Sequence, residues 1–224
     1  MGEGLRWDVV LFDLDGTIID PFDGIADGVR KAFAEVGEPA PADESIRSWI
    51  GPPIGETLAA ELGHLGPDAV ATALATFRQS YDNGGAQSAT LHSGMRDLII
   101  GLQGAGTYVA VVTMKPRHVT DQVLEQHDLR RALDGVFAPL ADQRAPSKAK
   151  LVGDSLVEAS QTRGSLLNGV VIGDRAEDIT AAHEHMLQGI GVLWGYGSED
   201  ELAAAGANHI FVDSAELTRF ITQR

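Results

Sequence analysis

Two runs of acidic residues each follow an apolar segment. Asp13-Leu14-Asp15-Gly16-Thr17 comes directly after the run Trp7 to Phe12, and Gly173-Asp174-Arg175-Ala176-Glu177-Asp178 comes directly after Val170-Val171-Ile172. Carboxylates at the carboxyl end of a parallel strand lie where open α/β sheets bind their ligands. Acids gathered there repel one another unless a cation intervenes. Alone, the first run could be a solvated strand end with an Asp-Gly turn, and Asp178 could simply cap or favour the start of a helix. Asp174 at a strand end is harder to explain that way. Three carboxylates with a fourth nearby, in a chain without cysteine, favour a hard divalent cation held by oxygen, Mg²⁺ before Zn²⁺.

Two further segments supply complementary groups. Val111-Val112-Thr113-Met114-Lys115 ends in a hydroxyl and in backbone N–H groups, and Ser147-Lys148-Ala149-Lys150 puts a cation at the start of a long helical pattern. Such donors can hold phosphoryl oxygens and spread transition-state charge. Thr113 is also a common strand terminator, and either Lys148 or Lys150 could be solvated. In sequence order, however, the four segments fit one mechanism of phosphoryl transfer.

The elements that must position these groups alternate between short β-branched runs and stretches with helical spacing, which signals βαβ units. Strands are expected at Trp7–Phe12, Tyr108–Val112, Val136–Ala138, Val170–Ile172, Ile190–Leu193 and Ile210–Val212. Helices are expected at Met95–Leu102, Arg117–Gln126, Lys148–Ala159, Ala176–Met186 and Ala215–Ile221. The fold class is α/β, with a doubly wound, Rossmann-like parallel sheet as its core. Between the first strand and Tyr108 the sequence shows no convincing strand but four helical patterns, at Gly24–Val36, Asp43–Trp49, Gly55–Leu62 and Asp68–Tyr81. This is expected to be an inserted helical cap domain over residues 20–92, the core comprising 1–19 and 93–224.

Composition narrows the function. Across 224 residues, 17 Lys and Arg stand against 32 Asp and Glu, a net charge of −15, which opposes binding to a nucleic-acid backbone. Absence of cysteine removes disulfides and thiol catalysis. The N-terminal apolar run is too short for a signal peptide or membrane span, so the expected address is the cytoplasm, with no nucleic-acid or membrane partner. The expected state is a monomer or homodimer.

With these motifs in this order, the sequence resembles the haloacid dehalogenase superfamily of phosphohydrolases, in its phosphoglycolate phosphatase-like branch with a helical cap. The resemblance spans essentially the whole chain. It implies that Asp13 is a nucleophile forming an aspartyl-phosphate, that Asp15 is the general acid and then the base, and that Thr113 and Lys148 complete the catalytic set. It implies Mg²⁺ held by Asp13, the backbone carbonyl of Asp15 and Asp174, with Asp178 orienting water or Lys148 or joining the metal site. The substrate, a small phosphorylated metabolite, would meet Gly16, Met114 and Lys115, and a specificity loop resembling Gly51-Pro52-Pro53-Ile54.

The chain departs from the branch at three places. Gly55-Glu56 stands where many relatives carry a basic residue, Met114 where they have Asn or Ser, and Pro21 where they have Ser or Thr. Arg47 or Arg78 could replace the missing charge, though a solvated helix face explains each. Trp194-Gly195-Tyr196-Gly197 resembles a loop of this branch and is expected to support the site. His183-Glu184-His185 has a spacing of two, which points the rings to different helix faces and excludes a metalloprotease motif; these residues are expected at the surface. His92 and His118 are expected to cap or pack. A phosphomutase would keep the same constellation. A phospho-accepting receiver also gathers acids, a Thr and a Lys, but is much shorter and needs no second acid to protonate a leaving group.

Overall fold

The computed structural model describes residues 7–140, 146–164 and 168–223; the part of the N-terminal apolar run before Trp7 lies outside them. In chain order the elements are β1 (Val9–Phe12), β2 (Ile19–Asp20), α1 (Phe22–Glu35), α2 (Asp43–Ser48), α3 (Ile54–Leu62), α4 (Pro67–Ser80), β3 (Thr90–Leu91), α5 (Met95–Gly104), β4 (Tyr108–Val112), α6 (Arg117–Gln126), β5 (Gly135–Phe137), α7 (Lys148–Arg163), β6 (Gly169–Gly173), α8 (Ala176–Glu184), β7 (Gln188–Val192), α9 (Glu199–Ala204), β8 (His209–Phe211) and α10 (Ser214–Thr222). Two compact units result, one of Met1–Asp20 with Leu91–Arg224 and the other of Pro21–Thr90.

In the first unit six strands form a parallel sheet of order β5-β4-β1-β6-β7-β8. This is an α/β fold of the doubly wound kind, entered from the centre, so that the chain reverses direction across the sheet at β1. β1 and β4 are buried along their whole length, which explains why their sequences run apolar instead of alternating. Against one face Leu151, Val152 and Ala159 of α7 and Ala181 and Ala182 of α8 pack on Val9, Leu11, Ala110, Val112 and Val171. Burying each of the valine and leucine side chains contributes about 1.5–3 kcal/mol.

Helices make up most of the second unit. Ile25, Ala26, Val29, Ala32 and Phe33 of α1 are buried, a spacing that lines one helical face. α1 and α4 approach closely at Gly28, where a Cβ would come within 2.9 Å of the Phe77 ring. Phe33 stacks on Trp49 at 6.1 Å between ring centroids.

The expectation of no strand before Tyr108 needs correction: β2 and β3 pair as a two-stranded sheet. Each has two residues, too few to show a period. α9 was also unexpected, being only six residues long and following a glycine-rich loop. Among the described residues no helix is long and apolar enough to cross a membrane.

Candidate active site

The sheet's carboxyl edge collects the acids. Asp13 follows β1, with its backbone N–H donating to Ile172 O of β6 at 2.8 Å, so the two central strands fix its position. Asp174 follows β6, and Asp178 lies in the first turn of α8. All three are buried. One carboxylate oxygen from each can be chosen so that the three lie within 4.8 Å of one another.

Lys148, the first residue of α7, joins two of these acids. Its Nζ lies 2.5 Å from Asp13 Oδ1 and 2.8 Å from Asp178 Oδ1. Burial alone would weaken the ammonium, but the carboxylates of Asp13 and Asp178 outweigh it and hold Lys148 above the usual lysine range. Lys150 is exposed and pairs with Asp154 at 2.7 Å on its own helix, so of the two lysines it is Lys148 that faces the acids. Asp178 Oδ1 meets Lys148, while Oδ2 accepts from Arg175 N at 3.1 Å and caps α8. Asp174 precedes α8 instead of lying within it.

Asp15 stands apart from this cluster. Burial raises its carboxyl above the ordinary range, opposed chiefly by Lys115, whose Nζ donates to both Asp15 oxygens at 3.0 Å. Lys115 is thus engaged with Asp15. Thr113 is buried after β4, and its hydroxyl accepts from Lys115 N at 3.2 Å. Met114 is half-buried and packs against the core beneath the sheet edge. Gly16 has φ +82°, and a Cβ there would come 2.2 Å from Asp174 Oδ2; the glycine makes room for that acid. Gly51, Pro52 and Pro53 lie in the other unit, in the turn between α2 and α3.

Two residues beyond the expected catalytic set, Tyr196 and Glu201, support the acids, and Trp194 braces the loop after Asp15. Tyr196 N donates to Asp174 Oδ2 at 2.7 Å, and Cβ atoms at Gly195 and Gly197 would collide with Asp174. The Trp194–Gly197 loop therefore wraps that residue. Trp194 Nε1 donates to Thr17 O at 3.0 Å. Glu201 accepts from Arg175 Nε at 3.0 Å and Ala176 N at 2.8 Å, fixing the helix start that carries Asp178. No sequence signal marks this role, because Glu201 reaches Arg175 and Ala176 from 26 and 25 residues away.

The electrostatics of the cluster disfavour its full negative charge. Asp174 is pushed up to about 8, first by burial and then by Asp13 and Asp178, against the pull of Tyr196 N–H and Lys148. One ammonium cannot balance three buried carboxylates. The donors are all oxygen, so the residues present fit a hard divalent ion.

The model of the haloacid dehalogenase-like hydrolase family matches residues 10–192. The chain is similar to the tyrosine-protein kinase PtkA of Mycobacterium tuberculosis, 31% identical over 193 residues covering 86% of this chain and 64% of that protein. It thus spans under two thirds of the length of that relative. It is 29% identical to a 5'-nucleotidase of Pseudomonas aeruginosa over 218 residues, covering 97% and 96% of the two chains. With a phosphoglycolate phosphatase of Vibrio parahaemolyticus it shares 26% identity over 221 residues, covering 95% of each. The crystal structure of a predicted phosphatase from Clostridium acetobutylicum superposes with a TM-score of 0.82 at 28% identity, covering 96% of this chain and 98% of that one.

Proposed function

The chain belongs to the haloacid dehalogenase-like hydrolase family, and from that premise we propose that it is a Mg²⁺-dependent phosphomonoester hydrolase working through an aspartyl-phosphate at Asp13. The observation that supports this most is the convergence of Asp13, Asp174, Asp178 and Lys148 at one sheet edge, with Asp15 two residues beyond the nucleophile. Relatives named phosphoglycolate phosphatase and 5'-nucleotidase support a small phosphorylated metabolite as substrate. The proposed setting is cytoplasmic, without nucleic-acid or membrane partners, as a monomer or homodimer.

Asp13, Asp174 and Asp178 would supply the metal's side-chain ligands, with the Asp15 carbonyl beside them. Bound there, a divalent ion would neutralise the carboxylates and allow a phosphate dianion to approach. An Asp13 oxygen attacks phosphorus, and the bond from phosphorus to the ester oxygen breaks. Asp15 gives its proton to the departing alkoxide; its raised carboxyl suits it to carry one. The resulting Asp15 carboxylate then takes a proton from water as the water oxygen attacks phosphorus. The bond to Asp13 breaks, inorganic phosphate leaves and Asp15 is protonated again. Lys148, paired to Asp13 and Asp178, holds the nucleophile and offers charge to phosphoryl oxygens. Residues 20–92 are the proposed cap, and Gly51, Pro52 and Pro53 are its proposed specificity residues.

A second reading keeps the first half-reaction and changes the acceptor. The similarity to proteins named tyrosine-protein kinase supports transfer from Asp13 to a hydroxyl instead of water, and a phosphomutase would do the same with a sugar hydroxyl. The test is purified protein with Mg²⁺ and a panel of phosphomonoesters, with phosphate release and hydroxyl phosphorylation measured side by side. Phosphate release that depends on Mg²⁺ supports the hydrolase. Phosphorylated hydroxyl product in excess of free phosphate supports the transferase.

A further inference from the structure

His183-Glu184-His185 carries no metal motif, yet its last residue is not at the surface. The His185 ring is half-buried where α8 ends, and Nε2 lies 2.8 Å from the carbonyl oxygen of Ala149. A carbonyl can only accept, so Nε2 is the donor. The ring fits because position 153, in the middle of α7, is glycine: a Cβ there would come 2.8 Å from His185 Cε1 and 3.2 Å from Nε2. Glycine in a helix interior weakens the helix, and here it leaves the space the imidazole fills.

Ala149 is the residue after Lys148. α8 therefore grips the start of α7 at two points: Asp178 near its N-terminus holds the Lys148 ammonium at 2.8 Å, and His185 at its C-terminus holds the adjoining backbone. The two points are seven residues apart, about 10 Å along a helix. Ser147 caps α7 by accepting from Lys150 N at 3.2 Å, but that bond is local to α7 and does not tie it to the sheet. We propose that His185 is a positioning residue for the phosphoryl-transfer site, fixing the register of α7 so that Lys148 reaches Asp13 and Asp178 together. The inference rests on the proposed role of Lys148, but the geometry it asserts can be tested without turnover.

The experiment compares full-length wild type, His185→Ala, His185→Gln and Gly153→Ala. Two readouts are used: the rate of Lys148 reductive dimethylation by formaldehyde, followed by peptide mass spectrometry, and kcat and KM for p-nitrophenyl phosphate with Mg²⁺. His185→Ala should raise Lys148 labelling several-fold while Lys150 labelling stays unchanged, and should lower kcat roughly tenfold at near-constant KM, since small misplacements of a catalytic group are costly. His185→Gln, whose amide can donate to the same carbonyl, should restore most of both. Gly153→Ala, a change that otherwise favours helix, should behave like His185→Ala by displacing the ring. Lys148 labelling in folded His185→Ala equal to wild type, no rescue by glutamine, or raised labelling with unchanged kcat would each overturn the proposal. A wild type that releases no phosphate would sink the hydrolase reading instead, and labelling would still decide the positioning.

Discussion

Lys115 places its ammonium 3.0 Å from both carboxylate oxygens of Asp15. Burial raises the Asp15 carboxyl above the ordinary range and Lys115 opposes that rise, so the lysine lowers the pH at which Asp15 gives up its proton. Lys115→Met should raise the Asp15 pKa further. The base form is then reached only at higher pH, and the rising limb of kcat for hydrolysis should move to higher pH. A pH profile from 5 to 9 checks this, alongside a melting curve to show the variant is folded. An unshifted limb in folded protein would remove Lys115 from the control of Asp15.

Asp15→Asn should separate the two half-reactions. With p-nitrophenyl phosphate, whose leaving group needs no proton, Asp13 can still be phosphorylated; with an alkyl phosphate, both steps lose their proton carrier. Steady turnover should fall by about 10²–10⁴-fold, with a burst of p-nitrophenol. Rapid-quench kinetics would show the burst. Equal loss for both leaving groups, with no burst, speaks against Asp15 as acid and base.

Metal binding should depend on pH through Asp174. Its carboxyl is pushed up to about 8, and a ligand must be ionised, so protons compete with the ion below that pH. The apparent Mg²⁺ affinity should rise from pH 6 to 8, by up to about tenfold per unit, and level off above. Stability of the metal-free protein runs the other way. A carboxyl raised from 3.8 to about 8 on folding contributes stability that is full below pH 3.8 and is lost as pH rises through 8. Titration calorimetry at four pH values and melting curves in chelator check both signs. A flat Mg²⁺ affinity from pH 6 to 9 would contradict the assignment.

The close packing behind the acids should show in stability. A Cβ at Gly173 would come 2.1 Å from Asp178 Cγ, so Gly173→Ala should cost about 1–3 kcal/mol and lower Tm by several degrees. Gly63→Ala, where no atom lies within 4 Å of the added Cβ, is the control. Equal melting temperatures for the two variants would mean that the acids move aside freely.

Legibility in the sequence followed physical cause. Tyr108–Val112 and Arg117–Gln126 match the expected bounds, because a continuous buried run and a clean amphipathic stripe mark their own ends. β2 and β3 escaped because two residues carry no period. The acids could be picked out by their position after strands, but their supporters could not: Tyr196 acts through its backbone N–H, which any residue type offers. His185 was misplaced at the surface because helical spacing says which face a residue is on, not what packs there. The hint lay elsewhere, in a glycine at position 153 with no turn to explain it.

The most direct measurement traps the covalent intermediate. Asp15→Asn protein is mixed with p-nitrophenyl phosphate and Mg²⁺, quenched in acid and reduced with borohydride, which converts an aspartyl-phosphate to homoserine. Peptide mass spectrometry then reads the modified position. The account predicts homoserine at position 13, absent without substrate or with Asp13→Asn. Modification at any other acid, or wild-type turnover retained by folded Asp13→Asn, would contradict it.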